Sequence, residues 1–292
     1  MHIGKYVFAQ ITQFLPQRHF RRILTKYDDR TKGWSFSHWS HMLVLMFSQL
    51  IGCGTLRELT DITIAHGKKS KHLGFGDKPV NRQMLSKANL LRDHRIFEEF
   101  AFHMVSIAQS KRITKEFELH GRFYAIDSTT IDLCMSVFRW AEFRSTKSGI
   151  KVHTQIDIAT EIPVFYRITN AKVHDVNSMD WFTYEAFACY VFDRGYFDLA
   201  RLYQIHVFGA FFIIREKGKP AYEIVDGESI LDGTDNVLKD QSIRFTKKEN
   251  QKKYPGTVRR IVYYAPELRR SFVYYTNNFF LSALTSNLIN IY

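Results

Sequence analysis

The chain has 292 residues, 45% of them apolar and 24% charged, and carries a formal net charge of +12. That length accommodates two domains with a sizeable core, and the charge calls for an anionic partner, of which nucleic acid is the commonest. Cys53, Cys134 and Cys189 form no Cys-x-x-Cys pair, which excludes a disulfide framework and a cysteine zinc site; no signal-peptide pattern opens the sequence, and the longest apolar stretch, Met42 to Cys53, falls short of the ~18 residues a membrane span needs. A cytoplasmic, nucleoid-associated protein with free thiols is the expectation.

Residues 1–120 read as a mostly helical, basic domain, holding nineteen lysines and arginines against ten acids. Val7, Ile11, Phe14 and Leu15 recur at helical spacing. Ser37 or Ser40 caps the apolar helix that follows. Leu56, Leu59 and Ile62 share one face of a helix over 55–65. Asn81 is the natural N-cap of a helix whose inward residues are Met84, Leu85, Ala88 and Leu91. Its other face shows Arg82, Gln83, Lys87, Asn89 and Arg92, which reads either as a solvated face or as one that enters a DNA major groove. A last helix runs from about Arg95 to Ser110.

The texture changes near Gly121. Strands are predicted at 122–127, 151–158 and 162–169, then a helix at 177–188, a strand at 189–193, a helix at 197–207 and a strand at 210–215. Beyond Gly218 the pattern is all strand, at about 221–225, 241–246, 258–264 and 271–276, and a helix starts near Leu281. Three antiparallel strands followed by alternating helix and parallel strand is the order of a ribonuclease H-like α/β core. In that order the first and fourth strands are neighbours, so Asp127 and Asp193, each closing an apolar run, are predicted to meet. Two carboxylates can share a divalent cation and begin a two-metal site for displacement at phosphorus.

Five ordered motifs carry a family resemblance: Ala125-Ile126-Asp127-Ser128-Thr129-Thr130, Lys147 to Thr154, Val173-His174-Asp175-Val176, Val191 to Tyr196, and Tyr275-Thr276-Asn277-Asn278. With Val7 to Gln10 and Phe47 to Leu50 in the front half, they make the chain resemble a DDE transposase of a bacterial insertion sequence, of the group called IS-four, over nearly its whole length. The resemblance implies a ribonuclease H-like core over 121–292 with an all-β insertion at about 218–276. It implies Asp127 and Asp193 as the first two metal-binding acids, Mg²⁺ or Mn²⁺ as cofactor, and DNA (element ends and target) as partner. Phosphodiester hydrolysis and strand transfer would be the reaction, and a homo-oligomer is compatible with it.

Lys147, Lys151 and Arg194 read as contacts to DNA phosphates, with a solvated charged face as the alternative. The family's third acid is a glutamate on a late helix, in a pattern opened by a tyrosine. Tyr292 matches that tyrosine, and the rest of the pattern does not follow. The expectation is therefore a chain truncated in its last helix, binding DNA with little or no cleavage. The alternatives are a DNA-binding inhibitor of transposition or an inert remnant. Asp132, Asp157, Asp175 and Glu216 are the other acids near the pair, and a surface or turn role is the expectation for each.

Overall fold

The computed structural model describes residues 6–27, 34–76, 78–111, 121–133, 142–144, 147–227 and 236–280. The chain divides into two compact units, Met1–Ser110 and Lys111–Tyr292.

The first unit is helical: α1 (Val7–Thr12), α2 (Gln17–Leu24), α3 (His38–Leu50), α4 (Leu56–His66), α5 (Arg82–Leu91) and α6 (Arg95–Ser110). Side-chain caps set three of the starts. Ser37 Oγ accepts from the Ser40 amide at 2.9 Å, Thr55 Oγ1 from Glu58 at 3.1 Å, and Asn81 Oδ1 from Met84 at 2.8 Å. Glu58 reaches back to the Gly54 amide at 3.0 Å, a reciprocal arrangement that satisfies a further free donor. Phe20, Ile23, Val44, Phe75, Leu85, Ala88 and Ile96 are buried in the core of this unit.

Helical spacing misassigned part of that core. In α1 the residues turned inward are Phe8 and Thr12, whereas Val7, Ile11 and Phe14 are exposed. Phe8 stacks edge-on against Phe47 and tilts against Phe75, contacts that fix the helix's rotation. Leu56 of α4 and Leu91 of α5 are likewise exposed, and Thr60 and Thr63 are among the buried residues of α4. Thr63 can be buried because its hydroxyl donates to the carbonyls of Thr60 and Val80.

The second unit is a large mixed sheet with helices. Its strands are β1 (Phe123–Leu133), β2 (Glu142–Arg144), β3 (Lys147–Asp157), β4 (Ile162–Asn170), β5 (Cys189–Phe192), β6 (Phe211–Arg215), β7 (Tyr222–Asp226), β8 (Val237–Phe245), β9 (Val258–Ala265) and β10 (Arg270–Thr276). The order across the sheet is β2-β3-β1-β5-β6-β10-β9-β8-β7, with β4 also paired to β3. β3 runs antiparallel to both β1 and β4, whereas β1, β5 and β6 are mutually parallel. From β6 outward every pairing is antiparallel.

Tyr124, Ile126, Tyr190, Phe192, Phe212 and Ile214 face a core shared with α7 (Leu199–Val207), while Phe123, Ala125, Cys189, Val191 and Ile213 belong to a second core. Central strands buried on both faces explain why they read as continuous apolar runs. Asp198 caps α7, its Oδ1 accepting from the amides of Ala200 and Arg201 at 3.0 and 3.1 Å.

Two segments differ from the sequence expectation. The helix expected at 177–188 is a 3-10 turn over Asp175–Trp181, followed by irregular chain. Side chains there take backbone partners that a helix would use. Ser178 Oγ donates to the Asp175 carbonyl, Tyr184 Oη to that of Met179, and the Glu185 amide donates to Tyr190 Oη. The outer region is not all strand, since α8 (Lys248–Lys253) interrupts it. That helix buries no side chain, so it leaves no apolar periodicity to read. The helix expected from Leu281 lies outside the described residues. Cys53 and Cys189 are free thiols, and Cys134 also lies outside the described residues. Among the described residues no helix is long and apolar enough to cross a membrane.

Candidate active site

The parallel register of β1 and β5 pairs Ile126 with Phe192. Asp127 follows Ile126 on β1 and Asp193 follows Phe192 just past the end of β5, so the two aspartates stand at the adjoining end of that pairing. By strand alternation Asp127 falls on the face that also carries Ala125. Beyond Asp127 the strand continues without β5 and pairs only with β3, Asp127 opposite Thr154 and Thr130 opposite Lys151. Asp193 leaves β5 in extended backbone and caps the short turn Arg194–Tyr196, its Oδ1 accepting from the Arg194 amide at 2.6 Å.

A third carboxylate stands close. Asp175 Oδ1 accepts from Ser128 Oγ at 2.6 Å and pairs with Lys151 Nζ at 2.8 Å. A methyl carbon placed on Gly195 would lie 3.8 Å from Asp175 Oδ2 and 3.9 Å from Asp193 Oδ2, so both carboxylates border that glycine. Lys151 is buried, and its amine also donates to the Val173 carbonyl at 2.9 Å. Next to it on β3, buried His153 bonds through Nε2 to Thr169 Oγ1 at 3.0 Å, and its ring meets Trp181 edge-on at 5.2 Å.

Partial burial pushes the Asp127 carboxyl above its ordinary value; the charges of Asp193 and Asp175 add to this, and a bond from the Ser128 amide opposes it. Burial also pushes Asp175 up, but the bonds from Lys151 and Ser128 outweigh it and hold that group below its ordinary value. Asp127 thus sits in a field of negative charge that a cation would relieve, while the Oδ1 atom of Asp175 is taken up by its own partners. Among the described residues no group of three or more His, Cys, Asp or Glu is arranged to hold a metal ion. What the site offers is a pair of oxygen donors of the kind hard divalent cations take.

The other residues singled out from sequence divide clearly. Arg194 is exposed beside Asp193. Lys147 opens β3, and its side chain lies outside the described residues. Lys151 does not present its charge to solvent; burial is tolerable there only because Asp175 and a carbonyl receive its protons. In the helical unit Arg82 and Lys87 are exposed, with the Lys87 amine 4.6 Å from the Trp34 ring centre. Arg92 is buried rather than groove-facing. Its guanidinium donates to the carbonyls of Phe36 and Ser37 and lies over the Phe36 and Trp34 rings.

Asp157 accepts from the Ala159 amide at 3.0 Å in a turn, and Glu216 accepts from Tyr275 Oη at 2.6 Å. Asp132 is exposed on β1. Sequence reasoning left Asp175 and Ser128 without a role. The Val173-His174-Asp175-Val176 and Ala125 to Thr130 motifs were their visible signals, but a motif does not name the partners that the fold supplies.

Residues 118–289 match the Transposase DDE domain family, and residues 3–76 match a domain of unknown function, DUF4372. The chain belongs to the Transposase DDE domain family. It is 30% identical over 181 residues to y4zB, a protein of Sinorhizobium fredii whose name assigns it to the transposases. The match covers 61% of this chain and 49% of that protein, so the chain spans about half the length of the curated relative it matches. A solved piggyBac transposase synaptic complex with hairpin DNA aligns with 96% of this chain and 63% of its own at 9% identity and a TM-score of 0.41.

Proposed function

We propose that the protein acts in DNA transposition, by divalent-metal-dependent phosphodiester hydrolysis and strand transfer, with Asp127 and Asp193 as metal-holding acids. The observation that supports this reading is the Ile126–Phe192 register, since Asp127 and Asp193 are the residues that follow that pair. The order β4-β3-β1-β5-β6 supports a ribonuclease H-like core, with β7 to β10 as the β insertion that extends it. A divalent cation held there would supply Lewis-acid activation of an attacking oxygen and stabilise the leaving one.

The chain's own groups have separable tasks. The Arg194 amide fixes one oxygen of Asp193, leaving Oδ2 to point across Gly195. Asp175 ties Ser128, the residue after Asp127, to Lys151 on the neighbouring strand, and so steadies the segment that presents Asp127. Arg194, exposed beside Asp193, is the basic group proposed to meet DNA phosphates near the pair.

The test is incubation of supercoiled DNA carrying the element's ends with the protein and Mg²⁺. Cleavage that Asp127→Ala and Asp193→Ala each abolish would support the reading and overturn the expectation, drawn from the sequence, of little or no cleavage. DNA that is bound but uncut would favour a non-enzymatic DNA-binding role. DNA neither bound nor cut would remove the reading.

A further inference from the structure

We infer that the exposed face of α2 formed by Arg18, Arg21 and Arg22 docks onto the sugar-phosphate backbone of duplex DNA; the inference rests on the DNA-acting reading above. The helix lies within the matched domain of unknown function, residues 3–76. Its sequence, QRHFRRIL, holds three arginines and no acid.

The spacing i, i+3, i+4 places those arginines on one helical face. The opposite side carries Phe20 and Ile23, both buried, with the Phe20 ring packed against Trp39, Phe97 and Phe100. Core packing therefore fixes which way the arginines point, and all three are exposed. None of them has an ion-pair partner among the described residues.

The surroundings sharpen the contrast. Lys26, just after α2, is bonded to Glu99, and Arg95 is bonded through its own side chain to Asp93. Among the described residues, Glu99 and Asp93 are thus engaged with other cations rather than with the α2 arginines. Three guanidinia within about one 5.4 Å helical turn meet a duplex that presents one charge per ~1.7 Å of axis. Arginine's planar fork suits phosphate oxygens bidentately. The α5 face that the sequence pointed to is weaker: Arg92 is buried, Asn89 is bonded to His41 at 2.7 Å, and Lys87 lies over Trp34.

The experiment measures fluorescence anisotropy of a labelled duplex over a salt series, with the full chain and with Arg18→Gln/Arg21→Gln/Arg22→Gln. At about 0.9 per neutralised phosphate, the triple variant should lower the slope of log affinity against log salt by about three. It should bind at least tenfold more weakly near 0.1 M salt, with an unchanged melting temperature. A triple lysine variant should keep most of the slope, and Arg82→Gln/Lys87→Gln should change it less than the triple glutamine variant does. An unchanged slope in the folded triple variant, or a larger loss in the α5 variant, would overturn the α2 assignment while leaving the DNA-acting reading intact. Failure of the unmodified chain to bind DNA at all would defeat that reading, and the inference with it. Arginine-dependent binding to phosphatidylserine vesicles without binding to DNA would identify a membrane surface instead.

Discussion

Lys151 Nζ lies 2.8 Å from Asp175 Oδ1, an ion pair between the middle of β3 and the turn after β4 that borders Asp193. The lysine is almost wholly buried and its partner about one-third exposed. Removing one member of such a pair leaves the other uncompensated. Asp175→Ala should cost about 2 kcal/mol of unfolding free energy by urea denaturation, and Lys151→Met added to it should recover part of that loss. The Asp175 carboxyl is held below its ordinary value, so its contribution is present at neutral pH and is lost as pH falls below about 4. Wild type and Asp175→Ala should converge in stability there; a gap that persists at acid pH would mean the ion pair is not its source.

Arg92 belongs to the core of the helical unit rather than to a DNA-contacting face. Its guanidinium donates to the Phe36 and Ser37 carbonyls and stacks on two rings. Arg92→Ala should destabilise that unit by about 3 kcal/mol, through stranded carbonyls and lost packing. Lysine should not restore it, since one ammonium cannot reproduce the planar fork. The salt slope of DNA binding should stay unchanged in the folded fraction, and a slope reduced by about one would place Arg92 on a phosphate after all.

Strand positions were legible in the sequence because β1, β5 and β6 are buried on both faces and read as unbroken apolar runs. Asp127 and Asp193 stood out because each interrupts such a run at its end. The cap Asn81 was equally plain and Ser37 was one of two candidates, since cap chemistry is local, whereas Thr55 was read as part of its helix rather than as the cap it is. Orientation was not legible. Whether Phe8 or Val7 faces inward depends on Phe47 and Phe75, which lie far away in sequence. The same holds for Lys151, whose charge looks free until the turn after β4 brings Asp175 to it. Short α8 and the irregular chain after Trp181 escaped because one buries nothing and the other is held by side-chain bonds to backbone.

Gly74 has φ +81, and a methyl carbon added there would sit 2.6 Å from Leu43 Cδ1. Leu43 is buried in the helical core, so relief of the clash must disturb packing. Gly74→Ala should therefore cost about 2 kcal/mol, through backbone strain and overpacking together. Gly76→Ala supplies the control: it has φ +108 but nothing within 4 Å, so it should cost less. Equal losses in the two variants would show that strain alone sets the cost.

Asp127 and Asp175 are pushed in opposite directions by their surroundings. Partial burial, with the charges of Asp193 and Asp175 behind it, raises the Asp127 carboxyl above the ordinary value. A carboxyl with a raised folded pKa favours the native state while protonated, and that benefit is lost as pH rises past the unfolded value toward the folded one. At pH 7 Asp127→Asn should consequently be at least as stable as wild type, with the difference closing below about pH 4. If the pair holds a divalent cation, Mg²⁺ should raise the melting temperature of wild type by mass action and leave Asp127→Asn and Asp193→Asn unmoved. Thermal scans at pH 4 and pH 7, with and without Mg²⁺, separate the two effects. An Asp127→Asn variant that melts below wild type at pH 7 without metal would contradict the charge repulsion. An equal Mg²⁺ response in all three chains would place the cation elsewhere.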